Sequence, residues 1–349
     1  MLVKSKGSGS DRPSSLSAVR PFFRFGLALL VLMGGGASQG GSEELRGPAF
    51  YPPEENTLLV SAEWVAQTIQ HPKEAGDLDL LVTLDQHFYA PGEILIRRFA
   101  KQEGLSVNVQ KGTCGTTAGM LAGKQADIGS FCCPPASSDR LPGLEFHTVG
   151  IVANALIVHP DNPIVNVTRS EAEAIFTGEI KKWNQLSDPG VRSLTHNIHP
   201  TTRLHCKIRP GHWRTLLDNE DYFSPLIHNT STMLDMMDVV AADPLAIGWV
   251  ARWVMEEPGN LGKVRALSLD GVQPDDIAAL SQGRYPYYKV LNLTSWKGAP
   301  DNPKADRLID YLLENTHRID VKNHIADHKR LREGGWRFSG DEVIGEPVP

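Results

Sequence analysis

Leu80-Leu81-Val82-Thr83 opens the stretch that decides the fold, which runs from residue 80 to residue 129. Its short apolar segments have the length of buried strands, and the segments between them are long enough for helices. Strands that alternate with helices are typical of a parallel sheet with crossover helices. The stretch therefore predicts an α/β protein, with strands at 80–83, 106–110 and 126–129 and helices at 93–102 and 116–121.

The composition is that of an ordinary globular protein. The chain has 349 residues, of which 41% are hydrophobic and 22% are charged, and its formal net charge is −6. A chain of this length can bury a large core and is expected to form about two structural lobes. The net charge gives no strong field, which argues against nucleic acid or an acidic membrane surface as a partner. The net charge is compatible with a small neutral or anionic ligand.

The first residues have the pattern of an export signal. Arg20 and Arg24 precede an apolar run at 26–33, which is followed by small residues. That run is too short to cross a bilayer, and this order of charge, apolar core and small residues is typical of a secretory signal. We predict a signal peptide over 1–41, a lead-in segment over 42–76 and a periplasmic location, where thiols tend to be paired or metal-bound. An uncleaved N-terminal anchor is the alternative.

Motifs further along the chain occur in the order seen in one known family. They are Ala126-Asp127-Ile128-Gly129, the segment from Ile157 to Pro163, Ile175 to Gly178, and Ala246 to Val250. In this order they resemble the phosphate-type family of type II periplasmic solute-binding proteins, the receptors of ABC uptake systems. The resemblance implies a two-lobe periplasmic-binding-protein (Venus-flytrap) fold, with mixed sheets, flanking helices and a hinge of two crossings that closes on a ligand.

The resemblance also implies a domain organisation and a way of working. Residues 77–152 and 250–349 would form lobe 1, which is discontinuous, and residues 153–249 would form lobe 2. Such receptors bind a small ligand as monomers, deliver it to a membrane permease and catalyse no reaction. The sequence agrees with the expectation of a non-enzymatic receptor, because it contains neither a Walker loop nor a His-Glu-x-x-His motif.

The loops that hold the ligand in such receptors depart here from the family's pattern. His87 stands where a threonine hydroxyl is usual, Cys114 where a serine is expected, and Cys132 where phosphate receptors place an aspartate. In lobe 2, Arg209 matches the family's arginine, but His212 stands in a turn that usually supplies hydroxyl groups. Hard oxygen donors are thus replaced by thiols and imidazoles, which favour soft and borderline metals.

These positions define the candidate ligand site. The predicted ligand-binding residues are His87, Phe88, Thr113, Cys114, Gly115, Thr116, Cys132, Arg209 and His212. A bound transition metal, such as Cu or Zn, would be held by four of them: His87, Cys114, Cys132 and His212. A disulfide between Cys114 and Cys132 is the alternative in an oxidising compartment. Cys133 follows Cys132 directly, so its side chain is expected to point away from that of its neighbour.

Three functions are compatible with these loops, all of them non-enzymatic. The first is a transport receptor for a thiophilic metal, a metalloid or an unusual oxyanion. The second is a phosphate receptor that relies on backbone contacts, with Arg209 as an anion contact. The third is a ligand sensor that docks a membrane histidine kinase in place of a permease. A Cys114/His87 nucleophile pair would make a Cys-dependent enzyme, but the surrounding motifs are those of receptors.

Overall fold

The described helices and strands form a mixed α/β architecture, as the sequence predicts. The computed structural model describes residue 50 and the ranges 58–135, 137–203, 216–217, 220–297 and 302–348. The predicted signal peptide, Arg209 and His212 lie outside the described residues. Within the described ranges, no helix is both long enough and apolar enough to cross a membrane.

The described part of the chain contains 14 strands and nine α-helices. The strands are β1 (Leu80–Asp85), β2 (Val107–Gly112), β3 (Ile128–Phe131), β4 (Leu144–Val158), β5 (Asn166–Val167), β6 (His199–Thr202), β7 (His228–Asn229), β8 (Ala246–Ala251), β9 (Arg265–Ala266), β10 (Ser268–Leu269), β11 (Tyr288–Trp296), β12 (Ile325–Asp327), β13 (Arg337–Ser339) and β14 (Glu342–Gly345). The helices are α1 (Ala62–Ala66), α2 (Tyr89–Glu103), α3 (Cys114–Ala122), α4 (Arg169–Thr177), α5 (Met233–Ala242), α6 (Ile277–Ser281), α7 (Pro303–Asn315), α8 (His317–Asn323) and α9 (His328–Glu333).

The three strands predicted from residues 80–129 are parallel neighbours. β1 lies between β2 and β3 and runs parallel to both, and α2 and α3 make the crossovers. Helix α2 begins at Tyr89, four residues before the predicted start. Pro91 lies in its first turn, where the missing N–H has no intrahelical partner to lose.

A 15-residue strand, β4, runs through the middle of the sheet and joins its two halves. Residues 144–153 pair antiparallel with β11, and residues 154–158 pair antiparallel with β8. The strand order β2-β1-β3-β11-β4-β8-β6-β7 therefore has parallel strands near its ends and antiparallel pairs at its centre. The sequence predicts only the end of this strand, from Ala153 to Val158, whereas the structure extends the strand back to Leu144.

Apolar side chains pack into two large clusters. One cluster brings together residues of α2, α5 and α7 with β1 and β4. The other gathers α4, β8 and β11 around Trp183, which is completely buried. Burial of apolar surface is the main driving force for folding, and these clusters place the strand ends of both halves in a rigid frame.

The described part of the lead-in segment packs against the edge of the first half. Trp64 of α1 donates a hydrogen bond from Nε1 to the carbonyl oxygen of Ala122 (2.7 Å). The buried ammonium of Lys124 lies 4.2 Å from the ring centroid of Trp64 and 3.9 Å from that of Trp296. Through these cation–π contacts the lead-in segment is attached to β11, which carries Trp296 and comes much later in the chain.

The C-terminal hairpin, β13 and β14, is tied to the first half by a buried ion pair. Arg140 donates from Nη1 to Oε2 of Glu342 (3.1 Å) and from Nη2 to Oε1 (2.5 Å). Both side chains are only 6% exposed. The fork of the guanidinium matches the carboxylate, so two parallel hydrogen bonds fix the orientation of the hairpin.

Candidate functional site

Three loops converge at one edge of the sheet because the parallel strands β1, β2 and β3 end there. Asp85 and His87 lie at the end of β1, Cys114 begins α3 directly after β2, and Cys132 and Cys133 follow β3. The carboxyl ends of parallel strands are where α/β proteins bind their ligands. All five side chains are buried.

Asp85 organises one side of this cluster. Its Oδ1 accepts hydrogen bonds from the backbone N–H of His87 (2.8 Å) and pairs with the Nδ1 of the same residue (2.7 Å). Its Oδ2 accepts a hydrogen bond from the thiol of Cys114 (3.5 Å). The backbone N–H of Asp85 donates to the hydroxyl of Ser130 (2.6 Å), which ties the end of β1 to β3.

Three thiols form the other side of the cluster. The Sγ atoms of Cys114 and Cys132 lie 3.3 Å apart, and the backbone N–H of Cys132 donates to the Sγ of Cys114 (3.5 Å). Cys114, Cys132 and Cys133 form no disulfide with one another or with another described residue. The Sγ of Cys133 lies within 4.8 Å of the other two Sγ atoms, so its side chain does not point away from that of Cys132 as predicted. Residues 132–133 form a bend after β3, where strand alternation no longer applies.

Burial, hydrogen bonds and neighbouring charges shift the pKa values of the thiols, of the imidazole and of the Asp85 carboxyl. At each thiol one hydrogen bond within the cluster raises the pKa and another lowers it, whereas burial and neighbouring charges raise it. The pKa of each thiol therefore lies well above its usual value. Burial favours the protonated form of Asp85, but the charge and hydrogen bonds of His87 outweigh it and hold the pKa of that carboxyl below its usual range. Burial also lowers the pKa of His87, although Asp85 opposes this effect.

Two buried cations beside the cluster were missed by sequence reasoning. Lys289 of β11 and Arg203, which follows β6, are both completely buried, and their positive charges contribute to the lowered pKa of His87. Lys289 is a lone lysine in an otherwise apolar or uncharged strand, and such a residue is a signal for a buried functional charge. Arg203 carried no such signal, because polar residues surround it in the sequence.

Trp253 connects the cluster to the end of β8. Its Nε1 donates a hydrogen bond to the backbone carbonyl of His87 (3.1 Å), across 166 residues of sequence. The short 3₁₀ segment that carries Trp253 follows β8 directly. The loop after β1 is therefore hydrogen-bonded to the segment that follows the second half of the sheet. This contact couples the position of His87 to the arrangement of the two halves.

The structure brings His87, Cys114 and Cys132 of the predicted site together. Phe88 is buried and precedes α2. Thr113 caps α3 by accepting a hydrogen bond from the backbone N–H of Thr116 (3.1 Å), and Thr113, Gly115 and Thr116 are exposed. The predicted contacts of Arg209 and His212 lie outside the described residues.

Two sets of donor atoms in this cluster could hold a metal or metalloid. The Sγ atoms of Cys114, Cys132 and Cys133 all lie within 4.8 Å of one another. Ligand atoms of Asp85, His87 and Cys132 satisfy the same limit, so Cys132 belongs to both sets. A donor set made mostly of sulfur is suited to a soft, thiophilic centre.

Comparison with known proteins matches the chain to one family. Residues 91–316 match the family model described as the PBP superfamily domain. The phosphate-binding protein PstS of Bacillus subtilis (strain 168) is 25% identical over 208 residues, which are 59% of this chain and 65% of that relative. The chain thus matches slightly less than two thirds of that relative's length.

Two solved structures resemble the fold. An ABC-type phosphate transport receptor from Vibrio cholerae superposes with a TM-score of 0.56 at 17% identity, covering 70% of this chain and 98% of the receptor. A phosphate ABC transporter substrate-binding protein from Clostridium perfringens, solved with bound phosphate, superposes with a TM-score of 0.61 at 17% identity, covering 71% and 98%. At this identity the likeness shows the fold, and it confirms the predicted two-lobe periplasmic-binding-protein architecture.

Proposed function

The chain belongs to the PBP superfamily, a family of solute-binding receptors rather than enzymes, and from this premise we propose that it captures a trivalent metalloid hydroxide such as arsenite. It resembles the phosphate-binding receptors of ABC transporters. The side chains at its strand ends nevertheless have a different chemistry, because thiols donate hydrogen bonds poorly to an oxyanion.

The observation that carries this proposal is the convergence of three thiols in one buried cluster. Their Sγ atoms lie within 4.8 Å of one another, and each of the three side chains is at most 2% exposed. Trivalent arsenic and antimony are thiophilic and bond three sulfur atoms at the corners of a pyramid. Cys114, Cys132 and Cys133 supply that number of sulfurs from two neighbouring loops.

The charge balance of the cluster favours a neutral ligand. The raised pKa values keep the three thiols protonated at neutral pH. Arsenite at that pH is uncharged As(OH)₃, and its condensation with three thiols forms three As–S bonds and breaks three As–O bonds. Each thiol proton leaves with a hydroxyl group as water, so three waters are released and no net charge is placed in the buried site.

A transition-metal cation such as Cu or Zn fits this chemistry less well. Thiol ligands must lose their protons to bind it, which costs more when their pKa values are raised. A disulfide between Cys114 and Cys132 would remove two of the three ligands, so the proposal requires the reduced form. A bound transition-metal cation and a Cys114–Cys132 disulfide remain predictions. One experiment distinguishes both of them from metalloid binding.

The test is a ligand panel on the purified, reduced protein. Arsenite, antimonite, Zn²⁺, Cu⁺ and phosphate are added separately, excess ligand is removed, and the bound element and the reactive thiols are counted for each sample. We expect one arsenic per chain and the loss of three reactive thiols. A chain that retains phosphate or a metal but no arsenic would contradict the proposal. Two thiols missing when the unfolded protein is counted before reduction would establish the disulfide.

The pH dependence of binding should separate a metalloid from a metal. Condensation with As(OH)₃ releases no protons, so the affinity for arsenite should change less than about threefold between pH 6 and pH 8, where the thiols stay protonated. A divalent cation displaces thiol protons, so its affinity should rise with pH over the same interval. Direct titration in buffers of matched ionic strength measures both slopes. An arsenite affinity that falls tenfold per pH unit would mean that a cluster thiol is ionised in the free protein, because bonding As(OH)₃ through a thiolate consumes a proton as water leaves.

A receptor for phosphate is the second candidate, and a specific observation favours it. Lys289 and Arg203 are buried beside His87, and guanidinium and ammonium groups are the usual partners of phosphate oxygens. The Bacillus subtilis relative is named as phosphate-binding. The phosphate sample of the panel decides between this candidate and the metalloid.

Delivery of the ligand is proposed by analogy with the relatives. The Vibrio cholerae structure is described as an ABC-type transport receptor, and the same role here would place the protein outside the cytoplasm, with a membrane permease as its partner. Docking to a membrane histidine kinase is the alternative partner. Crosslinking of the ligand-loaded protein to membranes, followed by identification of the captured protein, distinguishes transport from sensing.

A further inference from the structure

One histidine of α9 is hydrogen-bonded on both sides of its ring. The Nδ1 of His328 lies 2.8 Å from the carbonyl oxygen of Thr148 on β4, and its Nε2 accepts a hydrogen bond from the Nε of Arg332 (2.7 Å). A carbonyl oxygen only accepts hydrogen bonds, so Nδ1 carries the proton and Nε2 carries a lone pair. The neutral imidazole therefore satisfies both partners at once.

Arg332 is the residue by which α9 holds the C-terminal hairpin. Its Nη2 donates to the carbonyl oxygen of Gly340 (2.6 Å) and to Oδ1 of Asp341 (3.3 Å), which both lie in the turn between β13 and β14. Its guanidinium carbon lies 4.1 Å from the ring centroid of Phe338 on β13. Because His328 fixes the Nε of Arg332, it also orients the guanidinium toward these three contacts.

The hairpin closes one side of a polar cavity of 490 Å³. Residues 339–342 of the hairpin form one wall, and residues 143–147 contribute to the other. Arg140, which also lines the cavity and pairs with Glu342, lies on the chain that leads from the thiol cluster into β4. Release of the hairpin would open the cavity and remove a restraint on that chain.

Protonation of His328 disrupts this arrangement. The imidazolium has a proton on both nitrogens, so Nε2 can no longer accept from Arg332, and two positive charges face each other. The pKa of His328 lies below its usual value because burial and Arg332 disfavour the charged form. The carbonyl of Thr148 and the carboxylates of Asp341 and Asp327 favour the charged form, but they do not outweigh burial and Arg332.

We propose that His328 is an acid-sensitive latch, which holds the C-terminal hairpin over the cavity while it is neutral and loosens the hairpin when it is protonated. Once the hairpin has left, Arg332 is free to move away and His328 binds a proton more readily. Docking is therefore strongest above about pH 6.5, the usual pKa of histidine, and weakens as pH falls below it. This latch does not depend on which ligand the protein binds.

Two other groups of the hairpin interface respond to acid in the opposite direction. The Nδ1 of His147 on β4 lies 3.5 Å from Oδ2 of Asp341, so protonation of His147 would strengthen that contact. Burial raises the pKa of Glu342, so the docked hairpin favours the protonated carboxyl. Both contributions are the same in wild type and in a variant of His328, and they cancel when the two proteins are compared.

The test measures amide hydrogen exchange at two positions that report docking of the hairpin. The backbone N–H of Thr148 donates to the carbonyl oxygen of Asp341 (2.9 Å), and that of Val343 donates to the hydroxyl of Thr148 (2.9 Å). Protection at both amides is compared at pH 7 and pH 5, after correction for the intrinsic pH dependence of exchange. Between these pH values, we expect protection to fall at least about fivefold more in wild type than in His328→Gln, because glutamine keeps a donor and an acceptor but does not titrate.

His317→Gln is the matched control, because His317 is exposed on α8 and its Nδ1 bonds the carbonyl oxygen of Glu314, away from the hairpin. This variant should follow wild type. An equal loss of protection in wild type and His328→Gln would overturn the proposal. If His328→Gln does not fold, Arg332→Gln is measured instead. Without the guanidinium the imidazolium meets no like charge, so the extra loss in acid should again disappear, and its persistence in Arg332→Gln would contradict the latch.

Discussion

Replacing Cys114 and Cys132 together by serine should lower the affinity for arsenite by at least about 100-fold and leave the protein folded. The double substitution removes two of three sulfur ligands, and even the loss of a group that only supports a ligand commonly costs 10- to 100-fold in affinity. Serine is close to cysteine in size, and the two side chains can still hydrogen-bond to each other and to Asp85. Titration calorimetry with arsenite, together with the thermal midpoint, measures both effects.

A graded series makes this experiment selective. Cys133→Ser removes the third thiol alone, so its affinity should fall between those of wild type and the double variant. Phosphate binding, if present, should respond little to any of the three substitutions, because thiols contribute little to oxyanion binding. Arsenite affinity that is unchanged in the double variant would show that the thiol cluster is not the ligand site.

Replacing Arg140 by methionine should lower the free energy of unfolding by about 3 kcal/mol or more. The buried fork between Arg140 and Glu342 would be lost, and the carboxylate would remain in a site where it is only 6% exposed. Arg97→Met is the control: Arg97 pairs with Glu93 on the surface of α2 at 65% exposure, and its removal should cost less than about 0.5 kcal/mol. Urea denaturation of the two variants measures the difference.

The cost of Arg140→Met should depend on pH in a defined direction. Burial already raises the pKa of Glu342 above its ordinary value, with Arg140 opposing the rise, so losing the guanidinium raises that pKa further. A raised pKa in the folded state means that stability falls as pH rises through it. The destabilisation should therefore be smallest in acid and largest at neutral pH. The double variant Arg140→Met, Glu342→Gln should recover part of the loss, and a cost independent of pH would contradict this explanation.

The fold was predictable because its main signal is local. The alternation of apolar strands and helices over residues 80–129 is read from neighbours in sequence, and the structure places β1, β2 and β3 in parallel as that alternation requires. The full length of β4 was not predictable in this way. Its first residues include Glu145, His147 and Thr148, which gain their partners only from β11, β14 and α9, about 140 residues or more away.

The candidate site was predictable in part. His87, Cys114 and Cys132 follow the ends of predicted strands. The carboxyl ends of neighbouring parallel strands meet at one edge of the sheet, and this convergence does not depend on the rest of the chain. Cys133 was placed wrongly because strand alternation was extended into a bend. Lys289 and Arg203 were missed because their approach to His87 depends on β11 and β6, which come from distant parts of the sequence.

The sequence by itself determined the α/β class, the family and the residue types of the ligand loops, because periodicity and motif order are properties of neighbouring residues. Only the tertiary structure decided that three thiols share one cluster, that Asp85 orders them, and that two cations stand beside them. The thiols and Asp85 meet where β1, β2 and β3 end, whereas the two cations come from β11 and from the residue after β6, which are distant in sequence. Burial, which shifts the pKa values and strengthens the charges there, exists only once the chain is packed.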